Sequence, residues 1–67
     1  MNRLEVINEL KLIYKNYRFS FDGYNNLCMN EQPMNIGLLL EDLCGNNKMK
    51  LANKITELLM RLEANNE

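Results

Sequence analysis

The stretch Asn47-Lys48-Met49-Lys50-Leu51-Ala52-Asn53-Lys54-Ile55-Thr56-Glu57-Leu58-Leu59-Met60-Arg61-Leu62-Glu63-Ala64 carries the clearest structural signal in this chain. Leu51, Ile55, Leu58 and Leu62 recur at spacings of 4, 3 and 4, and Leu59 widens the stripe. Apolar side chains at that spacing share one face of a helix of 3.6 residues per turn. The spacing predicts a helix over about 47–64, followed by Asn65-Asn66-Glu67, which should fray.

Upstream, Gly45-Asn46-Asn47 reads as a short link in which either Asn can cap the helix that follows. Short links favour antiparallel neighbours. Before it, Ile36, Leu39, Leu40 and Leu43 follow helical spacing. Pro33 suits a first helical position, where its missing N–H would have no partner anyway, and Gly45 stands where a terminating residue belongs. These signals predict a second helix over about 33–44. It is almost wholly apolar over Ile36–Leu40, so it is expected to be the most buried element. Cys44 falls on its apolar side and reads as a small buried hydrophobe.

At the other end, Asn2 and Glu5 have the spacing of a capping box. Val6, Leu10, Ile13 and Tyr17 follow at 4, 3 and 4, with Ile7 and Tyr14 beside them. A first helix is predicted over about 3–18. Between the first and second helices, Phe19-Ser20-Phe21-Asp22-Gly23-Tyr24-Asn25-Asn26 breaks the period. Phe19 and Phe21 alternate with Ser20, which allows a short strand or hairpin, and a helical turn near 24–29 is also open. A lone two-stranded hairpin is only marginally stable, so a loop whose aromatics fold back onto the core is preferred. The fold class expected is all-α: three helices in one domain over 1–67, forming a helical homodimer.

Sixty-seven residues allow one domain with a small core, and chains of this size often gain support from disulfides, a metal or a second subunit. There is no histidine, no tryptophan and no Cys-x-x-Cys, so catalysis and metal binding have few tools and no cofactor is expected. The two cysteines, Cys28 and Cys44, are expected to be free thiols in a reducing cytoplasm, since no secretory leader precedes the first helix. No apolar run approaches the ~18–20 residues that span a bilayer. The net charge of −1 gives no overall attraction to nucleic acid. Twelve asparagines suggest an AT-rich gene, such as phage or horizontally acquired DNA.

Two apolar stripes are candidate contact surfaces: Leu51, Ile55, Leu58 and Leu62, and Val6, Leu10, Ile13 and Tyr17. Either they form the core of one chain or one of them is in part a dimer or partner seam; some intermolecular use is favoured, because three such helices offer more apolar face than a small monomer readily buries. Lys48, Lys50 and Lys54 crowd a helix start, where cations oppose the helix dipole. An acidic protein surface or nucleic-acid phosphate would offset that cost, although solvated surface charge is the commoner explanation. Lys11, Lys15 and Arg18 form a second basic strip. Glu41 and Asp42 point about 100° apart on a helix, which argues against a general acid/base pair; they are free to meet the lysines. Glu57 and Arg61 have the spacing of a surface ion pair. Cys28 has no local cation to activate it. The methionines and the aromatics gathered over 14–24 fit core packing first and an adaptable interface second.

The segment Ile36-Gly37-Leu38-Leu39-Leu40-Glu41-Asp42-Leu43, the link Gly45-Asn46-Asn47 and the run from Ile55 to Leu62-Glu63 together resemble the biofilm and acid-resistance regulators of the AriR/YmgB type. The resemblance covers residues 36–63. It implies an all-helical dimer without enzymatic activity that links stress signals to gene regulation, with DNA binding proposed for such proteins. From the residues and the resemblance together, the function expected is a small bacterial or phage regulator that acts by protein–protein interaction, as a connector or as an inhibitor. The competing expectations are a DNA-binding regulator using Lys48, Lys50 and Lys54, and a phage-type inhibitor of a host enzyme or defence complex. An enzyme is the least favoured class.

Overall fold

A computed structural model describes residues 1–64. The chain runs α1 (Arg3–Ile13), β1 (Phe19–Phe21), β2 (Leu27–Met29), β3 (Gln32–Pro33), α2 (Ile36–Gly45) and α3 (Met49–Ala64). It is therefore not all-α: a three-stranded antiparallel sheet of order β1-β2-β3 occupies the stretch expected to be a loop. The pairs Phe19–Met29, Ser20–Cys28 and Phe21–Leu27 join β1 to β2, and Cys28–Pro33 and Met29–Gln32 join β2 to β3. The hairpin discounted as marginal gains what an isolated one lacks: a third strand, and α1 packed on β1.

Local chemistry explains each turn. The Asp22 carboxylate accepts the N–H groups of Asn26 (2.9 Å) and Tyr24 (2.8 Å), and these bonds, that of Asn26 foremost, hold its pKa below the usual carboxylate range. Asn25 sits at φ 62°, a left-handed conformation that Asn tolerates. Between β2 and β3, Asn30 and Glu31 both have positive φ (53° and 71°), as a two-residue type I′ hairpin requires. Asn30 suits that geometry; Glu31 adopts it at a cost of about 1–2 kcal/mol. The Asn30 side chain also accepts the Arg18 N–H at 3.0 Å, which ties this turn to the end of the α1–β1 connection.

All three helices form where their sequence signals stand, with four corrections at their ends. The Asn2–Glu5 capping box is present, but α1 ends at Ile13, before Tyr17. Pro33 closes β3 instead of opening α2, whose N-cap is Asn35 accepting the Leu38 N–H at 3.2 Å. Gly45 is the last residue of α2. The left-handed position is Asn47, at φ 61°. The N–H of Lys48 bonds the Leu43 carbonyl (2.8 Å) and that of Asn47 the Cys44 carbonyl (3.2 Å), the two bonds of a Schellman termination. The Asn46 side chain turns back to the Asp42 carbonyl, so it closes α2 and does not start α3. The expected fraying of 65–67 lies outside the described residues.

The core draws on every layer: Val6 and Leu10 from α1, Phe19 and Leu27 from the sheet, Leu39 and Leu43 from α2, and Leu51, Ala52, Ile55 and Leu58 from α3. α2 is not the most buried element. It buries Leu39 and Leu43, while α3 buries four side chains. Cys44 is exposed, and Cys28, expected in a loop, is buried on β2. A helix has one face to give to a core, and α2 is apolar beyond that face.

Candidate interaction surface

The excess apolar surface of α2 lies beside a groove of about 430 Å³ between α2, the sheet and the end of α1. Phe19 and Leu39 are buried at its floor; Met29 and Met34 are half-buried along it. Tyr17, at 45% exposure, and Leu38, at 63%, also line it. The polar groups are Asn35, Asp42 and the tyrosine hydroxyls.

Each lining residue is placed for a physical reason. The chain leaves the α-helix at Tyr14, whose N–H closes the last turn on the Leu10 carbonyl (2.8 Å), and then bends to insert Phe19 into the core. That bend turns Tyr17 outward. The Tyr14 ring packs against Phe19 with centroids 6.0 Å apart, and its hydroxyl donates to Asp42 Oδ2. Partial burial, then the hydrogen bond to Asp42 and its negative charge, push the Tyr14 pKa up to about 12. Asp42 also accepts Asn46 Nδ2 at 3.2 Å. Asp42 thus pins the C-terminal part of α2 to both α1 and the following link, which sets the groove's width at one end.

The residues singled out in sequence divide clearly. Val6, Leu10, Leu51, Ile55 and Leu58 are brought together in the core of the chain. Ile13 and Leu62 pack at its margin, and Tyr17 alone of the eight is exposed. Lys48, Lys50 and Lys54 are all exposed at the start of α3, around an exposed Met49. The second basic strip is not a helical strip: Lys15 and Arg18 lie beyond the end of α1, and Arg18 pairs with Glu31 at 3.4 Å in an exposed ion pair of little energetic weight. The Arg61 guanidinium, expected to meet Glu57, donates to the Met1 carbonyl at 2.6 Å.

Among the groove residues, Leu38 belongs to the run Ile36–Leu40 that was expected to be buried, and it is exposed. Its signal was present: Ile36, Leu38, Leu39, Leu40 and Leu43 are more than one helical face can bury. Of the aromatics gathered over 14–24, Tyr14, Tyr17 and Phe19 line the groove, whereas Phe21 and Tyr24 do not. Among the described residues, no three His, Cys, Asp or Glu side chains gather in a way that holds a metal ion, and no helix is long and apolar enough to cross a membrane. No protein-family model, curated protein or solved structure matches this chain.

Proposed function

We propose that this chain is a small non-enzymatic regulatory protein of the cytoplasm that works by occupying the surface of another protein, as a connector or as an inhibitor. The observation that carries the reading is Leu38, 63% exposed on a groove with buried aromatic and aliphatic side chains at its floor. Burying a leucine side chain is worth about 1.5–3 kcal/mol, and aromatic and aliphatic anchors seated in pockets supply most of the energy of protein interfaces. The chain leaves that energy unused on its own surface. The resemblance of residues 36–63 to the biofilm and acid-resistance regulators adds a stress-linked role in gene regulation as one form of this proposal.

Affinity capture from extract of the native host tests it. Wild-type bait is expected to retain a defined protein, and Leu38→Asp bait, shown by circular dichroism to keep its helices, is expected to lose it. Equal capture by both baits contradicts the assignment of the groove.

The exposure of all three lysines favours one second reading, phosphate binding by Lys48, Lys50 and Lys54. It predicts duplex DNA affinity that falls steeply with salt and loses that slope when all three become Gln. Under the protein-binding reading, the triple variant folds as stably as the wild type or slightly more so, because unfavourable dipole interactions are removed, and DNA affinity is weak at every salt concentration.

A further inference from the structure

Asp42 lines the groove, Glu41 stands next to it on the exposed surface of α2, and the chain itself carries a segment of the opposite character. The charged residues of α2 are Glu41 and Asp42, both acidic. Those around the start of α3 are Lys48, Lys50 and Lys54, and between the first two stands Met49, 61% exposed. Among the described residues, neither carboxylate forms an ion pair with any of the three lysines, although only a short link separates the two helices; Asp42 is engaged with the Tyr14 hydroxyl and Asn46. Glu9 of α1 lines the same hollow as the three lysines but forms no ion pair with them among the described residues, so neither the charge of the α2 carboxylates nor the apolar fit between a protruding methionine and the groove is used within one chain. Methionine is unbranched and polarizable, and it packs well against aromatic rings such as those of Tyr14, Tyr17 and Phe19.

We propose that a second copy of this chain occupies the groove, with Met49 of one copy seated beside Tyr17 and Leu38 of the other, and Lys48 and Lys50 facing Asp42 and Glu41. The inference rests on the reading of the groove as a protein-binding surface. It adds that self-association and partner binding compete for the same residues, so the free regulator is self-occluded. It also accounts for cations at a helix start, where they oppose the dipole: the carboxylates of the other copy offset that cost.

Because the two contacting patches are different, single variants complement each other. Sedimentation equilibrium is measured on wild type, Leu38→Asp, Met49→Asp and an equimolar mixture of the two variants. Wild type is expected to self-associate in the micromolar range, and each variant alone to associate at least tenfold more weakly. The mixture is expected to recover a 1:1 complex, because it contains one intact groove and one intact methionine segment. If Leu38→Asp loses its helical circular dichroism, Leu38→Ser takes its place. Wild type that stays monomeric to millimolar concentration overturns the proposal. So does Met49→Asp that associates like wild type, or a mixture that remains monomeric. Loss of partner capture by Leu38→Asp would still stand in any of those cases, so the two claims fail separately.

Discussion

α3 and α2 both carry several large aliphatic side chains, yet they divide them differently. α3 segregates sharply: Leu51, Ala52, Ile55 and Leu58 enter the core, while Lys50, Asn53, Lys54, Glu57 and Arg61 face water. α2 buries Leu39 and Leu43 and turns Leu38 outward among Glu41 and Asp42. α3 spends its leucine and isoleucine stripe on folding and, of its large apolar side chains, leaves only Met49 and Met60 exposed, near its two ends. α2 has more than folding uses, and the remainder lies on the groove. In a chain this small, net stability is only a few kcal/mol, so apolar surface left in water is a costly feature unless something covers it.

The sharpest way to break this contrast is to attack the buried stripe. Leu58→Asp places an unpaired charge among Val6, Leu10 and Ile55, at a cost of several kcal/mol, comparable to the whole stability of the domain. The expected outcome is loss of the cooperative urea transition and of helical circular dichroism. A folded Leu58→Asp variant would mean that α3 is not the helix that closes the core.

Next in size is a matched pair on α2. Leu43 is fully buried, and Leu43→Ala should cost about 2–5 kcal/mol. Leu38→Ala should change stability by no more than about 0.5 kcal/mol, as a surface substitution does. Urea midpoints measure both, and similar losses would erase the distinction between the two faces of the helix.

The smallest effect concerns the bond that holds α2 against α1. The Tyr14 pKa is raised in the folded state, to about 12 from an ordinary 10.0. The folded state therefore favours the neutral phenol. The stabilisation is fully present below pH 10 and is lost as pH climbs through about 12. Wild type should lose thermal stability across that window relative to Tyr14→Phe, and parallel curves for the two proteins would remove the Tyr14–Asp42 bond from the account.

Much of the helical frame is legible in the sequence, because it is written in long signals: the Asn2–Glu5 box, the 4-3-4 stripe of α3, and the apolar run of α2. The sheet is not legible for a reason of scale. Its strands are two or three residues long, and alternation over Phe19-Ser20-Phe21 is too short to separate a strand from a loop. Pro33 misleads because the features that suit a helix start also suit the end of a short edge strand. The α2 terminus is misread because Asn47, not Gly45, takes the left-handed position. The groove follows from those same local facts. Tyr17 leaves the helix because α1 stops at Ile13, and Leu38 faces out because Leu39 and Leu43 already fill the inner face. Tyr17 was among the candidate contact residues for a helical stripe it does not belong to, and Leu38 could not be placed on a contact surface before the sheet was known.

A photo-crosslinking amino acid placed at residue 38 or at residue 60 tests the central claim most directly. Leu38 and Met60 are exposed to nearly the same degree, 63% and 65%, but only Leu38 lines the groove. In cells of the native host, position 38 is expected to yield a discrete protein adduct and position 60 none. Adducts of equal yield at both positions, or at position 60 alone, would contradict the assignment of the outer face of α2 as the contact surface.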